Sequence, residues 1–141
     1  MPSLSSLFGV VSRELSGYGE SKMIRGVGTD IVDVRRFERA RKRYGRKFVR
    51  RLFTGEEIAY CEERYNPALH YAARFAAKEA VIKAVGKRLP FKEIEVVREE
   101  NGRPFLHVEE YRLGYRWHLS LSHDGDYSLA YVIMEAVSEA G

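Results

Sequence analysis

The sequence predicts an α+β domain in which an antiparallel sheet packs on one long buried helix. Three observations point there. A glycine-spaced, alternating run at residues 23–34 reads as a strand. The stretch that follows switches to helical periodicity and ends in a segment apolar on nearly every side. Two tight reversals, Asn101-Gly102 and Asp124-Gly125-Asp126, are then each flanked by β-rich runs. One strand, then helices, then hairpins is the order of an α+β domain.

Taken in order, residues 1–22 are rich in Ser and Gly with weak periodicity, and predict a flexible N-terminal extension ahead of a domain over 23–141. In the strand at 23–34, parity puts Gly26, Gly28 and Asp30 on one face and Val27, Thr29 and Ile31 on the other. The Asp30 face is otherwise bare, so something can approach that backbone closely. From Val34, the spacing of Val34, Phe37, Tyr44 and Phe48 predicts a helix with Val34, Phe37 and Tyr44 turned inward, bent or broken at Gly45. Thr54 with Glu57 predicts a capping box opening a helix over 55–64. Asn66-Pro67 reads as an N-cap and first position. The helix it starts runs over 68–85 and stops at Gly86, a natural left-handed cap. Strands are expected at 93–98, 104–108, 117–122 and 127–135.

With 141 residues there is room for one domain. A hydrophobic fraction of 45% and a mean hydropathy of −0.38 describe a soluble globular chain. No apolar run approaches the roughly 20 residues that span a bilayer, and the start lacks a signal-peptide pattern. Cys61 is the only cysteine. That excludes an intrachain disulfide, argues against structural zinc, and fits a reducing cytosol. The net charge of +4 is uneven: residues 35–51 hold ten of the 24 Lys and Arg but one of the 20 acids, so +9 sits here and −5 elsewhere. So local a basic device points to phosphates or an acidic partner surface.

Chemistry has few candidate carriers. Glu79 and Lys83 are spaced i,i+4 on the buried helix, on a face that also holds Ala72, Ala76 and Gly86. Such a pair is either a helix-stabilising surface ion pair or a functional pair in an apolar surround, where a carboxylate needs a partner or a metal. Asp30 is a second carboxylate, read either as a strand-end cap or, with Glu79, as a hard-oxygen site for Mg²⁺. His123, beside the second reversal, reads as structural or as a phosphate contact.

The strings themselves are more specific. Gly26-Val-Gly-Thr-Asp30-Ile-Val-Asp33, then Arg74-Phe-Ala-Ala-Lys-Glu79-Ala-Val-Ile-Lys83-Ala-Val-Gly86, then Ser120-Leu-Ser-His123 resemble the holo-acyl carrier protein synthase family of phosphopantetheinyl transferases, from Met23 to about Glu135. The resemblance implies the 4′-phosphopantetheinyl transferase fold, in a single-copy domain that assembles as a homotrimer with its active sites at subunit interfaces. It implies transfer of the 4′-phosphopantetheine arm of coenzyme A to a serine of apo-acyl carrier protein, a step of lipid metabolism in the cytoplasm, with no nucleic acid and no membrane as partner. Asp30 and Glu79 would hold Mg²⁺. Glu79 and Lys83 would be catalytic, and Arg74, Lys83, Gly86 and His123 would bind coenzyme A. Arg36, Arg39, Arg43 and Arg46 would dock the carrier protein. One departure stands out: the family usually continues past Gly86 with a second glycine, as Gly-Thr-Gly, whereas this chain has Gly86-Lys87-Arg88-Leu89-Pro90. Lys87 and Arg88 are thus expected to supply charge where relatives use glycine. A competing reading, a non-catalytic basic domain binding nucleic acid or an acidic protein, explains residues 35–51 but leaves Asp30, Glu79 and Lys83 without a role.

Overall fold

The computed structural model describes residues 22–137. The chain begins with strand β1 (Lys22–Asp33) and continues through helices α1 (Val34–Leu52), α2 (Gly55–Glu62) and α3 (Pro67–Val85). Two hairpins follow: β2 (Ile94–Arg98) with β3 (Pro104–Val108), and β4 (Tyr115–Asp124) with β5 (Tyr127–Val137). Strands β1, β5 and β4 form one antiparallel sheet in that order, and β2–β3 form a separate two-stranded sheet. The expected α+β architecture is therefore the observed one.

Gly26 and Gly28 explain how sheet and helix meet. Both are buried on the face of β1 that α3 crosses. A Cβ on Gly28 would lie 2.8 Å from the carbonyl carbon of Ala80 and closer still to its oxygen. Gly26 stands in the same relation to Ala84. The bare face thus receives a helix backbone, not a ligand, and Asp30 follows at the end of that contact.

The core forms two clusters. Ala80, Val81 and Ala84 of α3 pack with Val132 and Met134 of β5 and Val96 and Val108 of the small sheet. The N-terminal half of α3, at Ala68, Tyr71 and Ala72, packs with Phe37, Leu52, Phe53 and Cys61. Burial raises the Cys61 thiol to about 12.

Local signals behave as their chemistry requires, with two corrections. Asp33 caps α1 by accepting from the N–H groups of Arg35 (3.0 Å) and Arg36 (3.2 Å). The Thr54–Glu57 capping box forms in both directions. Gly86 closes α3 at φ 84°. Asn66, however, makes no side-chain cap bond; with Pro67 next, its backbone sits at φ −124°, ψ 84°, outside the extended cap geometry. Tyr44 does not turn inward: it is 60% exposed. Gly45, at φ 71°, ψ −155°, breaks the periodicity there, so the inward positions restart at Val49 and Leu52.

Candidate active site

The close approach of β1 to α3 sets the geometry of the predicted site. Lys83, in the last turn of α3, does not pair with Glu79 four residues before it. Its ammonium reaches across to β1, donating to the carbonyl of Thr29 (2.9 Å) and to Asp30 Oδ1 (3.1 Å). Glu79 is instead met by Arg88 from beyond the helix end, Nη1 to Oε1 at 3.4 Å. Two carboxylates and two cations therefore converge from a strand, a helix and the loop after it.

Asp30 and Glu79 line one cleft of about 830 Å³, whose wall also includes Arg36, Phe37, Phe75 and Arg88. Glu79 is half-buried there, and Lys83 is the more exposed of the i,i+4 pair. Among the described residues no three His, Cys, Asp or Glu groups cluster as a complete metal cage. A pair of carboxylates opening on a cleft is instead the donor set that suits Mg²⁺ when substrate phosphates and water complete its shell.

Arg74 occupies a different crevice, with Tyr60 and Arg98. Its guanidinium is buried, stacks 4.1 Å over the Tyr60 ring, and donates from Nη1 to the carbonyl of His70 (3.3 Å). Its Nε has no hydrogen-bond partner among the described residues. Arg64 and Arg98 also lie over Tyr60, at 4.2 and 5.2 Å. Burial, and then the positive fields of Arg74, Arg98, Arg64 and His123, hold the His70 imidazole below its usual range. Arg74 and exposed His123 thus share a basic neighbourhood, and neither lines the Asp30–Glu79 cleft. Gly86 takes its place as the left-handed cap, its N–H on the carbonyl of Ile82 at 2.8 Å.

The four arginines read as a docking face are all exposed. Arg36 opens on the cleft itself. Arg43 lies 5.5 Å over the Tyr44 ring, and Arg46 borders a groove between α1 and α2 with Tyr71.

Two features escaped the sequence reading. The buried ion pair of the long helix is not made by Glu79 but by its neighbour: Lys78 and Glu57 meet at 2.7 Å with both side chains fully enclosed. A lysine inside an apolar helix was the available signal. The second is the separation of Lys87 from Arg88. Lys87 turns away to Glu110 (2.7 Å) and only Arg88 reaches the cleft.

The family profile described as the 4′-phosphopantetheinyl transferase superfamily matches residues 26–132. The chain belongs to that superfamily. A holo-(acyl-carrier-protein) synthase of Syntrophus aciditrophicus (strain SB) is 38% identical over 128 residues, covering 83% of this chain and all of the relative. One from Wolbachia sp. subsp. Drosophila simulans (strain wRi) is 42% identical over 118 residues, covering 79% and 98%. Among solved structures, the holo-(acyl-carrier-protein) synthase of Bacillus anthracis str. Ames, in complex with CoA (3′,5′-ADP), superposes with a TM-score of 0.72 at 33% identity, over 81% of this chain and 98% of that one. Family membership decides between the two functional readings: the chain is a transferase of this superfamily and not a basic binding module. No helix among the described residues is long and apolar enough to cross a membrane.

Proposed function

We propose that this chain transfers the 4′-phosphopantetheine arm of coenzyme A to a serine of apo-acyl carrier protein, releasing 3′,5′-ADP. The observation that carries this reading is the convergence of Asp30, Glu79 and Arg36 on one cleft between β1, α1 and α3, with Lys83 bonded to the Asp30 carboxylate.

In the reaction the serine oxygen forms a bond to the β-phosphorus, the bond from that phosphorus to the bridging oxygen breaks, and the serine proton must leave. Asp30 and Glu79 would hold Mg²⁺, which when bound neutralises charge on the diphosphate and orients an in-line displacement. Glu79 accepts the serine proton at its carboxylate. Lys83, anchored on Thr29 and Asp30, stabilises negative charge that gathers on the bridging oxygen of the leaving group. Arg74 and His123, with Gly86, belong to the binding of coenzyme A; the buried guanidinium of Arg74, whose Nε is unpartnered among the described residues, is suited to a phosphate group. Arg36, Arg39, Arg43 and Arg46 face the carrier protein, where charge complementarity raises on-rate and specificity.

Assembly as a homotrimer is part of this proposal. The face of the three-stranded sheet away from α3 carries Ile31 and Tyr131, exposed at 61% and 44%. Uncovered apolar area of this kind suits a subunit interface. It would also let one subunit's Arg74 and His123 approach another's Asp30 and Glu79. In this reading the transferase domain spans 23–141 and works in the cytosol, where the buried thiol of Cys61 stays reduced.

The test is direct: incubate the protein with coenzyme A, Mg²⁺ and an apo-carrier protein, and weigh the carrier by mass spectrometry. A gain of one phosphopantetheine is expected, and an unchanged mass rejects the assignment. Glu79→Gln should lower turnover by at least about 100-fold, the usual worth of a positioned acid or base, with the melting temperature preserved. Wild-type kcat in that variant would remove the role given to Glu79.

A further inference from the structure

We propose that Arg88 is a diphosphate-binding residue of this enzyme, held in readiness by Glu79 and transferred to the phosphates of coenzyme A as they enter the cleft. The inference rests on the transferase reading above. It concerns the one position in the cleft wall where this chain carries a fixed charge in place of the glycine-rich loop expected of its family.

The loop places Arg88 there by construction. Gly86 ends α3 in the left-handed conformation (φ 84°), and Leu89 is buried in the main core. Between these two anchors the side chains of Lys87 and Arg88 leave in different directions. Lys87 is fixed on Glu110 at 2.7 Å, beneath the ring of Tyr111 at 5.7 Å. Arg88 reaches back two turns of helix to Glu79 and lies 5.7 Å over the ring of Phe91. The aromatic face steadies the guanidinium plane without occupying its N–H groups.

The contact with Glu79 has the marks of a temporary one. It uses a single nitrogen at 3.4 Å, long for a charge-assisted bond, which settles nearer 2.7–2.9 Å. The Arg88 side chain is 70% exposed, so the pair holds weakly in water. A guanidinium has five N–H groups in a planar fork that matches two phosphate oxygens at once. A diphosphate entering the cleft therefore offers Arg88 more than one carboxylate oxygen can. The position also answers an electrostatic need. The C-terminal end of α3 presents carbonyl oxygens and a partial negative charge, which is unfavourable beside a diphosphate. Lys83 in the last turn and Arg88 just beyond it offset that charge from two sides. When Arg88 leaves, the Glu79 carboxylate is uncovered at the moment the substrate arrives.

The experiment is titration calorimetry of coenzyme A into the full-length wild type, Arg88→Ala, Arg88→Lys and Lys87→Ala, with melting temperatures measured alongside. Arg88→Ala should weaken coenzyme A binding by about tenfold to a hundredfold, the worth of a charge-assisted phosphate contact. Arg88→Lys, a point charge without the fork, should recover only part of it. Lys87→Ala should bind as the wild type does. Coenzyme A binding by Arg88→Ala equal to the wild type would overturn the inference, even if its KM for carrier protein rose, because the arginine would then serve docking. Should Arg88→Ala melt early, Arg88→Gln carries the same test, since it keeps donors and length but loses charge. A wild type that fails to bind coenzyme A overturns the transferase reading together with this inference, and is told apart by that first titration.

Discussion

Replacing Lys78 by Met should destabilise the fold far more than any change among the exposed charges. The Lys78 ammonium is wholly enclosed and uses all three of its donors: Glu57 Oε1 at 2.7 Å, the carbonyl of Phe91 at 2.9 Å and that of Ile94 at 2.6 Å. Glu57 in turn accepts from the N–H of Thr54 at 2.9 Å and of Val96 at 3.0 Å. The pair thus fastens α2, the turn after α3 and the small sheet onto α3. Burial pushes the Lys78 ammonium toward lower pKa and Glu57 opposes this, so the charged pair itself adds little net stability. Losing one partner is another matter. Met fills the volume but leaves a buried carboxylate and two carbonyls without their donor, which costs about 3–5 kcal/mol. That is a large part of the roughly 5–15 kcal/mol available to a domain. At about 3 °C or more per kcal/mol, the melting temperature should fall by at least ~10 °C. Urea denaturation of Lys78→Met, Glu57→Gln and the double variant forms a cycle, and the double variant should recover at least about 1 kcal/mol relative to the sum of the singles. A loss under about 1 kcal/mol for Lys78→Met, or strict additivity, would refute the account of the pair.

Gly28→Ala should be severe, because its Cβ meets the main chain at Ala80 and only separation of β1 from α3 can relieve it; thermal melts should show a loss of about 1–3 kcal/mol or more, with carrier modification falling as Asp30 shifts. His70 provides a pH test. Its folded pKa lies below its ordinary 6.5, so its contribution to stability is whole above pH 6.5 and is lost as pH falls through the folded value. Between pH 7 and 5, circular dichroism melts of His70→Gln should therefore decline less steeply than those of the wild type; parallel curves would show that His70 is not held neutral. An Arg39→Glu, Arg43→Glu double variant, at two docking positions outside the cleft wall, should raise KM for carrier protein while coenzyme A affinity stays within about twofold, and an unchanged KM would discard the basic face as the docking surface.

What was legible in the sequence was whatever local chemistry decides. Gly86, Gly102 and Gly125 take positive φ where a helix ends or a hairpin turns, and Thr54 with Glu57 closes its own box. The glycine spacing of β1 announced a close approach, although not that a helix backbone makes it. Contacts across the fold were out of reach. Glu57 and Lys78 stand 21 residues apart in the chain, and nothing in either helix's periodicity says that they meet. The i,i+4 spacing of Glu79 and Lys83 is real, yet the partner chosen by each comes from another element: Asp30 for the lysine, Arg88 for the glutamate. Tyr44 misled because periodicity assumes a straight helix, and Gly45 ends that assumption one residue later.

The contact of Gly26 and Gly28 with the carbonyls of Ala84 and Ala80 has a bearing on how such a protein can diverge. Main-chain atoms alone define the gap there, so exchanges among Val81, Val132 or Met134 can reshape the hydrophobic interior while Asp30 stays in step with Glu79 and Lys83. Lineages of this enzyme are thereby free to drift in interior composition as long as two hydrogens, one on each glycine Cα, are never traded for carbon.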